Sequence, residues 1–230
     1  PILTIVVTVP VAFAAGAALQ WGFQRWLVSE FSSLLVSFGL LIATLQVISN
    51  VWSADFQTLG VGLNPYSRQS IPVGPVVFPM PVLLAFLFAF VIVVATQVAL
   101  ERTYPGRALR AFAEDRPIAS AFGIDHRRLS VLLAGGAAGT AAVAGMLWTV
   151  TGAALTPSTP FEWIGIVFAV VILGGIGNVV GTLAAGMLVG AVWSVVGVVW
   201  SPATAPIVVF SLIIAALIFR PRGLFRRGGT

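Results

Sequence analysis

Few side chains in this sequence could do chemistry. The one histidine, His126, stands between Asp125 and Ser130, so that an acid, an imidazole and a hydroxyl lie close along the chain. A nucleophilic relay needs those three groups to meet in a particular spatial order, and residues crowded at the start of one helix do not give it. General acid–base catalysis likewise needs a positioned partner, so His126 reads as a solvated loop residue. There is no cysteine, which rules out disulfides and thiolate metal sites. Without clustered acids beside His126, a zinc-type site is not expected either. All twelve basic residues are arginine. A phosphate-binding loop of the G-x-x-x-x-G-K-[ST] type needs a lysine, so the glycine-rich "GGAAGTAA" cannot be one, and any ATP hydrolysis must come from another chain. The expectation is no catalytic residue, no metal, no cofactor and no enzyme activity in this chain itself.

The remaining concentration of polar groups is more informative. Of twelve arginines and seven acids, ten fall between Glu101 and Arg128. Gly106, after Pro105, marks the end of a preceding apolar run. "RALRAFAED" is alanine-rich and suits a helix. Pro117 fits the first turn of a second short helix, "PIASAF", with Glu114 and Asp115 near its positive N-terminus. Gly123 can stop that helix in a left-handed conformation, and Asp125 is placed to cap the next one. Two short helical pieces result, with charges of both signs and an apolar side at Ile118, Ala121 and Phe122. A plain connection would need far fewer residues. Such a segment can dock in a partner's groove or rest on lipid headgroups; spacing leaves both open.

The elements around it must be membrane spans. The chain is 59% hydrophobic and 8% charged, where a soluble domain carries about 25% charged residues. The net charge of +5 would suit nucleic acid, but the arginines stand beside apolar runs, as in the cytoplasmic loops of membrane proteins, and no basic stripe is interleaved with stacking aromatics. Nucleic acid is not an expected partner; the lipid bilayer is. Crossing takes about 20 apolar residues, and the runs 2–20, 31–49, 79–100, 131–150, 161–176, 179–200 and 204–219 predict about seven spans, the fifth and seventh short. The fold class is all-α: a polytopic transmembrane helix bundle in one domain, 1–230, with a cytoplasmic loop at 101–130.

Between Ile164 and Trp200 there is no charge. One helix over that stretch would run about 55 Å, so the chain must turn, and Gly174, Gly175, Gly177 and Asn178 supply the residues for it. These glycines have two readings. They let helices pack closely, as do Gly135–Gly139 and Gly186–Gly190 in small-xxx-small spacing, or their broken backbone lines a substrate path. Packing is the more general reason for small residues in such helices.

Arginine placement orients the spans. Segment 101–130 holds six, the tail 220–230 four and the connector 21–30 one, whereas 50–78 has only Arg68. The positive-inside rule puts the first three in the cytoplasm and 50–78 outside, and the even numbers of spans between them agree. That external connector, with five prolines in 50–81, cannot be a regular helix; it is either a plain connector or a docking surface for an extracytoplasmic partner. The first span would then begin outside, at Pro1, with neither initiator methionine nor signal peptide before it. The expectation is a fragment, preceded by at least one further span.

"GRALRAFAEDRPIASAFGI" resembles the cytoplasmic loop of permease subunits of bacterial branched-chain amino-acid ABC importers, whose pattern G-x-x-x-R-A-x-x-x-[ND]-x-x-x-A-x-x-x-G-I is met by Gly106, Arg110, Ala111, Asp115, Ala119, Gly123 and Ile124. "VLLAGGAAGTAAVAG" is similar to the small-residue span that follows, "VILGGIGNVVGTLAAGMLVG" to the family's glycine hairpin, and "FRPRGLF" to its C-terminal ending. "LLIATLQ" fits an earlier span, and "AEDR" looks more like the H-type than the M-type subunit. By this resemblance the family's first spans are expected to precede Pro1, and 21–30 lacks the family's arginine–proline pair.

The resemblance implies an inner-membrane subunit that translocates branched-chain or other small amino acids. It implies as partners ATPase subunits, two of them, a second permease and an extracytoplasmic binding protein. It also makes 101–130 the loop that enters a groove of the ATPase, with Arg110, Glu114, Asp115 and Arg116 as polar contacts and Ile118 and Phe122 as apolar ones. Alternatives are a permease for urea, short amides or another small polar solute, and an ion-coupled carrier. The last usually needs an ionisable group inside the membrane, and the spans after Ser29 have none at their centres. A channel would need a polar pore lining, for which Thr44, Gln46, Gln97 and Asn178 are thin material.

Overall fold

The computed structural model describes residues 2–26, 30–53, 55, 57–58, 70–73, 76–114, 122, 125–152, 154–175 and 177–219. It forms two compact units, Pro1–Pro157 and Ser158–Thr230. Eight helices and one hairpin are present among the described residues. The first unit contains α1 (Ile2–Arg25), α2 (Glu30–Trp52), β1 (Ser70–Val73), β2 (Val76–Pro79), α3 (Met80–Arg102), α4 (Tyr104–Glu114) and α5 (His126–Val150). The second contains α6 (Thr159–Gly174), α7 (Val179–Val199) and α8 (Ala205–Phe219).

Five helices are long and apolar enough to cross a membrane: the runs Thr4–Arg25, Phe31–Trp52, Met80–Arg102, Arg127–Val150 and Val179–Val199. The expectation of about seven spans is corrected here. At 16 and 15 residues, α6 and α8 reach only about 24 and 22 Å, short of the ~30 Å hydrocarbon core. Their apolar runs were legible, but local chemistry trims them. α6 starts with Pro160 in its first turn and stops at Gly175, whose φ of 91° ends the helical path. α8 starts only at Ala205, after Ser201–Thr204 turn.

In the first unit, α1 packs along α5 through small residues. A Cβ on Gly16 would lie 2.6 Å from Ala138 Cβ and 2.7 Å from the Ala134 carbonyl oxygen, and one on Gly135 would press on the Phe13 ring at 2.9 Å. Gly139 faces Val9. The Gly135–Gly139 spacing therefore serves packing, as helix association in lipid requires. Two turns beyond Gly139 on α5, the Thr8 hydroxyl donates to Met146 Sδ at 3.0 Å. By contrast, a Cβ on Gly190 would meet nothing within 4 Å, and one on Gly186 only Val170 at 3.7 Å.

Between Trp52 and Met80 the described residues of the proline-rich connector are not helical, as the prolines predict, although α2 runs on through its first residues, 50–52. The connector also contains a hairpin that the sequence did not announce. β1 and β2 pair antiparallel, Ser70 with Pro79 through Val73 with Val76. Ile71, Val73, Val76 and Val77 are β-branched and favour strand. A second pairing joins Gln57 and Leu155, each donating its amide to the other's carbonyl at 2.8 Å. In the second unit, Ile166, Ala169 and Leu173 of α6, Ala185 and Val189 of α7 and Val209 and Ile213 of α8 form one core; Trp163 and Trp193 pack against it, their rings tilted on each other with centroids 5.4 Å apart.

Candidate functional site

The charged segment begins as a sharp change of direction between α3 and α4. Thr103 caps α3: its amide donates to the Ala99 carbonyl at 3.2 Å, and its hydroxyl donates to the same oxygen while accepting from the Gly106 amide at 3.2 Å. One side chain thus closes α3 and opens α4. The expectation that Gly106 ends the preceding span shifts accordingly. Gly106 lies inside the first turn of α4, folded back onto α3, where a Cβ would collide with the Ala99 carbonyl and Leu100. Only glycine allows that approach.

α4 is amphipathic. Gly106 and Ala108 are buried, while Arg107, Arg110 and Ala111 are exposed. Arg110 reaches back to Glu101 at 3.7 Å, with 51% and 39% of the two side chains exposed, and Glu101 also accepts from Gln97 Nε2. A pair so open to solvent contributes only about 0–1 kcal/mol, so α4 is held by its packing and by the Thr103 cap rather than by charge.

Of the expected loop residues, Gly106, Arg110, Ala111 and Glu114 stand together on α4, Glu114 as its last residue. Phe122 is 82% exposed. Asp115, Arg116, Ile118, Ala119 and Gly123 lie outside the described residues. Asp125 caps α5 as its sequence position predicts, accepting from the amides of Arg127 at 2.9 Å and Arg128 at 3.4 Å.

The second expected site is the α6–α7 turn. Gly175 and Gly177 take φ of 91° and 85°, the left-handed region that side-chain-bearing residues rarely occupy. The Gly175 amide donates to Ile172 O at 3.1 Å and the Asn178 amide to Gly175 O at 3.0 Å. Asn178 then caps α7, its Oδ1 accepting from the Gly181 amide at 3.0 Å, while the Thr182 hydroxyl donates to Asn178 O at 3.0 Å. Across the turn the backbones touch. A Cβ on Gly181 would overlap the Gly174 carbonyl oxygen, and one on Gly174 would sit 2.5 Å from the Thr182 backbone. Gly174 and Gly175 are buried. Gly174 and Gly181 are packing glycines, and Gly175 and Gly177 are turn glycines.

Among the described residues no group of three or more His, Cys, Asp or Glu side chains is placed to hold a metal ion. One polar assembly was missed by the sequence reading: Trp21, Gln24 and Arg25 at the end of α1 meet Arg127 and Arg128 at the start of α5 around a cleft. The two sets lie about a hundred residues apart, and only the packing of α1 on α5 joins them.

Comparison with known proteins places these features in a family. Residues 1–217 match the family described as branched-chain amino acid transport system / permease component. The high-affinity branched-chain amino acid transport system permease protein BraD of Pseudomonas aeruginosa is 32% identical over 145 residues, which are 63% of this chain and 47% of that protein. The LivH high-affinity branched-chain amino acid transport system permease proteins of Escherichia coli and Salmonella typhimurium are 30% identical over 142 residues, 62% of this chain and 46% of each relative. The matched part thus spans about half the length of these relatives. No solved structure matches the chain. With five helices of membrane-spanning length and a family match across both units, this multi-pass membrane protein belongs to the permease-component family of branched-chain amino acid transport systems, a family of transport subunits and not of enzymes.

Proposed function

We propose that the chain acts as a permease subunit of an ATP-driven importer in the bacterial inner membrane, carrying branched-chain or other small amino acids handed over by an extracytoplasmic binding protein. The observation that carries this reading is the family match over residues 1–217, joined to relatives whose names specify high-affinity branched-chain amino acid transport. Its partners are two ATPase subunits, a second permease and the binding protein. The chain has no lysine with which to build a phosphate-binding loop, which accords with an engine on another subunit.

Within this reading, the segment that starts at Gly106 is the coupling element. α4 presents Arg107, Arg110 and Ala111 to solvent from a rigid base on the end of α3, and Phe122 offers an apolar side chain. The remaining contacts are Glu114, Asp115, Arg116, Ile118, Ala119 and Gly123. A short helix firmly seated on a membrane helix can pass a push from a soluble partner into the bilayer, which a loose loop cannot. The arginine-rich segments 101–130 and 220–230, and with them the connector 21–30, face the cytoplasm and 50–78 faces outward. The Gly174, Gly175, Gly177 and Asn178 turn lies on the translocation path, a place where helix interruptions at membrane depth occur in transporters.

The test is uptake of labelled leucine and of labelled urea by a strain lacking this gene, with and without the gene restored. Leucine uptake that depends on the gene, on ATP and on the binding protein is expected. Gene-dependent uptake of urea alone, or leucine uptake unchanged by deletion, contradicts the proposal.

A further inference from the structure

The α1–α5 cleft carries an assignment that transport itself does not require. Its volume is about 590 Å³, and it opens where the last turn of α1 meets the first turns of α5. Gln24 Nε2 donates to the Arg127 carbonyl at 3.1 Å and ties the two helix ends together. The Arg25 guanidinium lies 5.4 Å from the centroid of the Trp21 ring, a cation–π arrangement that holds it beside the cleft. Arg127 and Arg128 enter from the other helix.

The charge balance is one-sided. Arg128 pairs with Asp125 at 3.2 Å. No ion pair joins Arg25 or Arg127 to a carboxylate among the described residues. The lining contains no acid. The α5 amides are not the source of the attraction, since the Asp125 carboxylate already accepts from those of Arg127 and Arg128. What remains is a set of guanidinium groups, which pair in a fork with phosphate oxygens.

The rest of the wall is apolar. Val131 and Leu132 continue from the arginines along α5, and Leu132 is 51% exposed. Trp21, 56% exposed, is the residue type that settles at the headgroup level of a bilayer. Cations at one end of two membrane-length helices, with an apolar wall leading away from them, match a molecule that is anionic at its head and hydrocarbon below. A free anion has no use for the apolar wall. We propose that this cleft binds the phosphate headgroup of an anionic phospholipid, with Arg25 and Arg127 on the phosphate and Leu132 and Val131 along the first acyl carbons. That the lipid comes from the cytoplasmic leaflet rests on the orientation proposed above; the binding itself does not.

The experiment is native mass spectrometry of the intact, delipidated protein titrated with phosphatidylglycerol or phosphatidylcholine of the same acyl chains. The first phosphatidylglycerol is expected to bind about tenfold or more tighter, the preference that two membrane-facing arginines supply. R25Q/R127Q abolishes that preference, whereas R102Q, which removes a cation at the end of α3, keeps it. If R25Q/R127Q does not fold, L132E takes its place, since a carboxylate in the wall must repel the same headgroup. Equal affinity for the two lipids, or a preference that survives R25Q/R127Q or L132E, overturns the assignment. Displacement of phosphatidylglycerol by equimolar inorganic phosphate overturns it too, because the site then serves a soluble anion. Sidedness is read separately, by impermeant labelling of Ser130→Cys: external labelling with the lipid preference intact refutes the orientation alone.

Discussion

At Gly181 a single hydrogen atom decides whether two helices can approach. The Gly174 carbonyl oxygen occupies the space a Cβ would need, so Gly181→Ala must push α6 and α7 apart. Overpacking of this kind costs about 1–3 kcal/mol, and a lower midpoint of thermal unfolding in detergent is expected. Gly190→Ala, on the same helix with nothing within 4 Å of its would-be Cβ, should leave that midpoint unchanged or raise it. Equal effects of the two substitutions would refute the packing role. Asn178→Ala removes the cap on the Gly181 amide at a cost of about 1 kcal/mol, and Asn178→Asp should restore most of it in the same assay. The sequence located this turn, because a cluster of glycines around an asparagine inside an uncharged stretch has few other uses. It did not separate the glycines into kinds. Gly175 and Gly177 are needed for their backbone angles, and Gly174 and Gly181 for what lies opposite, a difference that exists only once two helices face each other.

Among the elements, the α1–α5 pair shows the same limit from another side. The "GGAAG" stretch announces a helix surface that another helix can approach closely, but nothing in it names α1 as the partner. Gly16→Leu should disrupt the pair by driving a side chain into Ala134 and Ala138. The amount of folded protein recovered from membranes should fall several-fold, a loss of about 1 kcal/mol or more of stability. Gly39→Leu on α2, where a Cβ meets nothing within 4 Å, is the matched control, and its yield should stay at the wild-type level. A similar loss in both would mean that leucine harms any of these helices. Span length was less legible than span position. Hydrophobic runs persist through residues that no longer hold helical geometry, so α6 and α8 read as spans from composition yet stop short of membrane thickness. The β1–β2 hairpin escaped because prolines argue against helix without arguing for strand. Its signal was the alternation of β-branched residues around a Gly-Pro step.

For the molecule as a whole, arginine asymmetry makes the strongest prediction about orientation. An impermeant thiol reagent should label Ser70→Cys, in the hairpin, only from outside and Arg102→Cys, at the end of α3, only from the cytoplasm; the reverse pattern would invert every span. Fold class and family were legible because the membrane leaves few architectures open and because the loop and hairpin motifs are specific in combination. The anionic cleft partner was not, since Arg25 and Arg127 meet only through tertiary packing.

The coupling assignment is tested most directly by reversing charge at Glu114, the last residue of α4, and at Asp115, next in sequence, with E114R/D115R. The readout is co-purification of the ATPase subunit together with leucine uptake in the same cells. Exposed charges on a mere connector are worth about 0–1 kcal/mol, whereas like charges forced together inside a matched groove cost several. ATPase recovery and uptake are predicted to fall together, with the permease still inserted and still paired with its sister subunit. Wild-type recovery and wild-type uptake would contradict the assignment and leave the segment a headgroup-binding loop.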